Sequence, residues 1–202
     1  MKLYFTPGVC SLAPHIALRE AGIDVQLEKV DDSNRAAYRS VNPHGYVPAL
    51  EIRPGLVLTE GPAIMQYIAD LAPQARLAPE NGSIDRYRLQ SWLNFITTEL
   101  HKSFTPLFKP GMPAEAKTQF KDLIGQRLDY VEQRLAQHAY LLDSGFSIAD
   151  AYLFVVTGWA GFVGLSLDRW PHIVAFRKRI GARPAVQAAM RAEGLQPPAG
   201  DA

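Results

Sequence analysis

Leu3-Tyr4-Phe5-Thr6-Pro7-Gly8-Val9-Cys10-Ser11-Leu12-Ala13-Pro14 decides the fold of this chain. A short apolar strand runs through a Pro-Gly turn into a helix start, and Cys10, the only cysteine of the 202 residues, stands at that junction. Pro14 suits the first helical turn, where a missing N–H costs nothing. Ile16, Ala17 and Leu18 supply the apolar body of the helix, and Gly22 after Ala21 supplies its stop. A thiol at a helix start meets unpaired N–H groups and the positive dipole end, which favour its thiolate form.

Outward from this junction, Lys2–Phe5 reads as a strand and Ala13–Ala21 as a helix. Val25–Val30 alternates apolar and polar residues as a half-buried strand does. Ser33–Ser40 reads as a weak polar helix. Pro48–Ile52 and Leu56–Thr59 flank Arg53-Pro54-Gly55, a tight hairpin turn, and Gly61–Leu71 carries Ile64, Tyr67, Ile68 and Leu71 on one helical face. The order is βαβ, hairpin, helix, which predicts an α/β sandwich with a mixed sheet over residues 1–77. The turn-rich stretch Ala72–Ser83 is a linker candidate. Residues 84–202 read as an all-α domain. Leu89, Trp92, Leu93, Ile96 and Leu100 recur at helical spacing, as do Phe120, Leu123, Ile124, Leu128, Val131 and Leu135. Ser147-Ile148-Ala149-Asp150 is a capping box opening an apolar helix from Ile148 to Phe162. Shorter helices are expected near Pro171–Ile180 and Ala185–Ala192, and the proline-rich tail from Gln196 is expected to fray.

Composition narrows the function. Apolar residues make up 48% of the chain, and 21 Lys and Arg nearly balance 20 Asp and Glu. No net field recruits nucleic acid or an anionic membrane. No apolar run reaches the length of a membrane span, and one cysteine cannot close an internal disulfide, so the cytoplasm is the expected compartment. No cysteine–histidine grouping has zinc spacing and no Gly-rich phosphate loop occurs, so no metal is expected.

Two further stretches belong with Cys10. In Asn42-Pro43-His44-Gly45-Tyr46-Val47-Pro48-Ala49-Leu50, Val47-Pro48 opens a strand that should be central. A cis bond there turns the Val47 N–H and C=O outward, toward a peptide-like ligand. Thr59-Glu60-Gly61-Pro62-Ala63-Ile64 is a strand-to-helix corner: its free N–H groups suit a carboxylate and Glu60 an ammonium. Together these features suit an extended thiol peptide, its amino-acid end on Glu60 and Gly61, its backbone on Val47 and its sulfur against Cys10.

These three stretches, with Ser147-Ile148-Ala149-Asp150-Ala151-Tyr152, occur in one order over nearly the whole chain, and the sequence resembles the bacterial beta-class glutathione S-transferases. The resemblance implies a thioredoxin-like N-terminal domain plus an all-α C-terminal helical domain, the glutathione transferase fold. It also implies a homodimer, with glutathione as cosubstrate and an electrophile as second substrate. It assigns Cys10 to the glutathione sulfur, Val47 with Pro48 to the backbone contact, and Glu60 with Gly61 to the γ-glutamyl end. Asn94 and the stretch Thr98-Glu99-Leu100-His101-Lys102 match the segment that completes the site from its own or the partner subunit. The loop between Val30 and Asn42 is shorter than in this class, and Arg35 is the nearest basic residue for the glycine carboxylate.

Within that set Ser11 either shares in stabilising the thiolate or caps the helix. His101, whose reference pKa is near neutral, is assigned the holding of a proton near the sulfur. Tyr4, in a strand, is assigned to the core, and Asp150 to a cap rather than to catalysis. Phe104, Phe108 and Trp159 either line the electrophile pocket or pack in the core. The expected reaction is attack of the glutathione thiolate on an electrophilic, mostly apolar substrate. One alternative uses Cys10 as a redox nucleophile in thiol transfer, peroxide reduction or reductive dehalogenation. Another is a non-catalytic carrier of hydrophobic ligands.

Overall fold

The computed structural model describes residues 1–196; the tail beyond Gln196, expected to fray, lies outside the described residues. The chain forms two compact units. The first comprises Met1–Ala78 with the stretch from Gly181 onward, and the second Pro79–Ile180. The sequence reading gave residues 84–202 to the helical domain; the packing instead gathers the last helix, Pro184–Ala192, into the first unit.

In the first unit, β1 (Lys2–Phe5), β2 (Gln26–Lys29), β3 (Ala49–Arg53) and β4 (Leu56–Thr59) form a mixed sheet in the order β2-β1-β3-β4. β1 runs parallel to β2, with Leu3 opposite Leu27, and antiparallel to β3, with Leu3 opposite Leu50. The β1–β2 crossover is α1 (Leu12–Glu20), as a parallel pair requires. Gly22, at φ 65°, ends α1: Gly22 N–H bonds to Arg19 C=O and Ile23 N–H to Leu18 C=O, a closure that needs a left-handed residue. The pleat sorts β1 by face. Phe5 lies toward α1, with its ring 6.4 Å from that of His15. Tyr4, on the other face, clusters with Val30, Tyr38 and Ala49. Its hydroxyl donates to Glu51 at 3.3 Å, consistent with the core role assigned to it. α3 (Gly61–Leu71) packs beside α1 and buries Ile64, Met65 and Ile68, each worth about 2 kcal/mol.

The weak helix expected at 33–40 shrinks to α2 (Arg35–Tyr38). Polar side chains claim the backbone ahead of it: the Asp31 carboxylate accepts from the Ser33 N–H, and the Asn34 amide donates to the Lys29 carbonyl. α9 (Pro184–Ala192) packs on α1, and Arg183 makes a two-pronged pair with Glu20 at 2.6 and 2.8 Å.

The second unit contains α4 (Ile84–Phe95), a π-helical segment Ile96–His101, α5 (Lys102–Phe104), α6 (Ala114–Leu135), α7 (Ile148–Gly158) and α8 (Pro171–Gly181), whose last residue falls in the first unit. α7 is buried from Ile148 to Thr157 and forms the centre of this unit. Its start is the expected capping box. The Asp150 carboxylate takes the Ser147 N–H and hydroxyl, each at 2.8 Å, and the Leu141 N–H at 2.9 Å. The helix ends at Gly158, short of the Phe162 expected. The Arg177 guanidinium takes the Phe154 carbonyl at 2.6 Å and the Thr157 hydroxyl at 2.9 Å, and a 3-10 turn follows at Gly161–Val163. No helix among the described residues is long and apolar enough to cross a membrane.

Candidate functional site

The first unit brings its three marked stretches together. The Cys10 thiol, half-buried, donates to the Val47 carbonyl at 3.3 Å. The Val47–Pro48 bond is cis. A Cβ built on Gly61 would lie 3.9 Å from the Pro48 ring, so the α3 corner abuts the same turn. The thiol, the Val47–Pro48 turn and the α3 N-terminus are therefore neighbours. Glu60, exposed at the corner, has φ 68°, a backbone region that side chains seldom adopt and that tends to persist at binding sites.

The turn that presents Val47 is built from side chains. The Tyr46 carbonyl accepts from the Tyr38 hydroxyl at 2.8 Å and from the Asn42 amide at 2.7 Å. Burial pushes the Tyr38 phenol up to about 12, so it stays a donor at neutral pH. Arg35 donates to the Gly45 carbonyl at 3.3 Å and lies 3.6 Å from Asp32, so it braces this turn.

Ser11 does not make the helix cap expected of it. It is fully buried, its oxygen accepts the Thr6 N–H at 3.1 Å, and its hydroxyl donates to the Thr6 carbonyl at 3.1 Å. It does not cap α1; it closes the Thr6–Ser11 loop that carries Cys10. A second support joins side chains far apart in the sequence, and no local pattern points to it. His15 and Glu193 are fully buried side chains joined at 2.9 Å, and the second Glu193 oxygen accepts the Gly8 N–H at 3.1 Å. Arg19 Nε donates to His15 Nε2 at 3.4 Å, so the ring carries its proton on Nδ1, toward Glu193. Gly8, at φ 73°, lies against Leu195. No local pattern links Glu193 to a loop 185 residues earlier.

In the second unit the assigned residues occupy different faces of one helical run. Thr98 sits above Asn94, donating to its carbonyl at 3.1 Å. Glu99 turns toward Arg127 at 2.8 Å and lines a 510 Å³ groove with Arg88, Trp92, Phe95 and Tyr130. His101 turns toward Tyr152, Nδ1 to hydroxyl at 2.7 Å, and meets the Trp159 ring edge-on at 4.9 Å. Phe104 and Phe108 meet the same indole at 5.9 and 6.0 Å; Phe104 is core, whereas Phe108 is half exposed. Lys102 is exposed.

The π-helical segment explains this spread. The Lys102 N–H reaches the Thr97 carbonyl, one residue beyond α-helical range. Hydroxyls satisfy neighbouring carbonyls: Thr97 to Leu93 at 2.8 Å, Ser103 to Glu99 at 2.7 Å and Thr105 to His101 at 3.3 Å. Burial, then the Lys102 charge, pull the His101 imidazole down to about 4, so it is neutral near pH 7 and carries a single ring proton. Among the described residues no group of three His, Cys, Asp or Glu side chains is placed to hold a metal ion.

Two family models match the chain: the glutathione S-transferase N-terminal domain over residues 9–71 and the C-terminal domain over residues 95–184. The chain is 48% identical to glutathione S-transferase GstA of Escherichia coli O157:H7, over 97% of this chain and all of that protein. It superposes with a TM-score of 0.92 on the bacterial beta-class glutathione S-transferase of Sphingomonas chungbukensis, at 46% identity. It does so equally on a sphingomonad glutathione S-transferase complexed with glutathione, at 47% identity. Each superposition covers 96% of this chain and all of the other. On these matches, this chain belongs to the glutathione S-transferase family, among its bacterial beta-class members.

Proposed function

We propose that this protein conjugates the thiolate of glutathione to electrophilic, largely apolar substrates. The observation that carries the reading is the ledge itself: the Cys10 thiol 3.3 Å from the Val47 carbonyl, and Pro48 against Gly61. An extended tripeptide lies along it with its sulfur at Cys10, its cysteinyl backbone on Val47 and its γ-glutamyl end at the α3 corner. There the Gly61 N–H, without an intrahelical acceptor, meets the carboxylate, and Glu60 meets the ammonium. Cys10 and the α1 dipole then lower the cost of a thiolate sulfur, and alignment with the electrophile does the rest. A relative at 48% identity named as a glutathione S-transferase, and a similar structure holding glutathione, support the cosubstrate.

The remaining assignments belong to the same proposal. Arg35 reaches the glycine carboxylate after exchanging the Gly45 carbonyl for it. Asn94, Thr98, Glu99, His101 and Lys102 serve the reaction from the helical unit. Their distribution over separate faces favours a homodimer in which a second copy supplies part of the set. The sole cysteine supports a cytoplasmic setting.

The test is binding and turnover with glutathione and a chlorinated dinitrobenzene, in wild type and Cys10→Ser. Tight glutathione binding, with conjugation retained in Cys10→Ser, supports the reading. Loss of thiol transfer to disulfides together with no conjugation by the wild type would replace it with the redox alternative.

A further inference from the structure

We propose that Tyr38 and Asn42 are positioning residues: they grip the Tyr46 carbonyl and thereby aim the Val47 N–H at the cysteinyl carbonyl of glutathione. The inference rests on the reading above, in which the cysteinyl backbone meets Val47, and adds to it the groups that hold that contact ready. The Tyr46 carbonyl and the Val47 N–H belong to one planar peptide group. That bond is trans, so its oxygen and its hydrogen point in opposite directions. The oxygen is held by the Tyr38 hydroxyl at 2.8 Å and by the Asn42 amide at 2.7 Å. Both residues are buried, and Tyr38 belongs to the cluster it forms with Tyr4, Val30 and Ala49. With the oxygen drawn to these donors, the Val47 N–H is turned away from them, and among the described residues it makes no hydrogen bond.

Each donor is itself fixed. The Tyr38 ring lies 5.2 Å from that of Tyr4. The Asn42 N–H bonds to the Tyr38 carbonyl at 3.0 Å, and Asn42 Oδ1 accepts the His44 N–H at 3.2 Å, which leaves Nδ2 as the group facing Tyr46. A residue ahead of a proline favours extended backbone, where its own N–H and C=O face the same side. Cys10 marks that side, its Sγ 3.3 Å from the Val47 carbonyl. A donor held in place before the ligand arrives needs no ordering on binding, so the grip on Tyr46 serves glutathione affinity rather than the chemical step.

The test compares wild type with Tyr38→Phe, which keeps the ring and removes only the hydroxyl. Steady-state kinetics should show the KM for glutathione raised about fivefold, with kcat and the KM for the electrophile within about twofold. Hydrogen exchange, followed by NMR of the full-length protein at saturating glutathione, supplies a readout that packing alone does not move. Glutathione protects the Val47 amide in wild type, and in Tyr38→Phe that protection drops about fivefold. A folded Tyr38→Phe with the wild-type KM or the wild-type Val47 protection overturns the proposal. So does a crystal structure of wild type in which Val47 bonds glutathione while the Tyr46 carbonyl has left Tyr38 and Asn42, a result independent of how the variant folds. Glutathione that binds wild type without protecting the Val47 amide would instead overturn the Val47 contact itself, and the proposal with it.

Discussion

Glu60 joins an acidic side chain to a costly backbone conformation. Its φ of 68° is strained for a side-chain-bearing residue, yet it puts a carboxylate at the corner where a helix start presents its N–H groups. Its charge is the feature that matters for an ammonium. Glu60→Gln keeps the shape and the strain, so the KM for glutathione should rise at least about tenfold by steady-state kinetics, with an unchanged melting temperature. Cys10 and Glu60 each sit at a strand-to-helix junction, as the sequence pattern places them, because local punctuation fixes those junctions. Ser11 was not. Its hydroxyl is spent on the Thr6 backbone, an arrangement set by loop closure rather than by its place before the helix. His101 departs from its reference behaviour for the same reason: neighbours outside its own helix bury it. Its folded pKa of about 4 lies below the unfolded value, so it contributes stability that is complete above about pH 6.5 and lost as pH falls toward 4. Denaturant unfolding at a series of pH values should show this acid loss in wild type and a shallower one in His101→Gln.

At the scale of elements, the boundaries that agree between sequence and structure are those with local punctuation. β1 and α3 begin and end where the pattern places them, and Pro54-Gly55 turns the β3–β4 hairpin. The disagreements arise where a distant side chain intervenes. Arg177, from α8, ends α7 four residues early, and the π-helical segment has no counterpart in apolar spacing, because Ile96 and Leu100 read equally well as α-helix. The capping box of α7 carries a larger load than its local pattern conveys, since Asp150 also takes the Leu141 N–H. Asp150→Ala leaves the Ser147 and Leu141 donors buried without their acceptor and should cost about 2–4 kcal/mol in denaturant unfolding. Burial pushes the Asp150 carboxyl up to about 6, above its unfolded value. Ionisation is therefore disfavoured by folding, and the stability of wild type relative to Asp150→Asn should decline from about pH 4 to about pH 6 and level off above.

At the scale of the molecule, the first unit is closed by the end of the chain. α9 returns to α1, and Glu193 bonds both His15 and the Gly8 N–H of the Cys10 loop. This contact spans nearly the whole sequence, so no reading of local pattern finds it. Glu193→Ala should lower the melting temperature and also raise the KM for glutathione, because the loop that carries the thiol loses its bond to Glu193. A melting change with an unaltered KM would confine Glu193 to packing. The account as a whole stands on the tripeptide site proposed for that unit, and a crystal structure of the protein with glutathione tests it most directly. The account predicts the glutathione sulfur within about 4 Å of Cys10 Sγ, its cysteinyl backbone bonded to Val47 and its γ-glutamyl carboxylate on the Gly61 N–H. Glutathione bound away from Cys10, or with its amino-acid end off the Glu60–Gly61 corner, would contradict it.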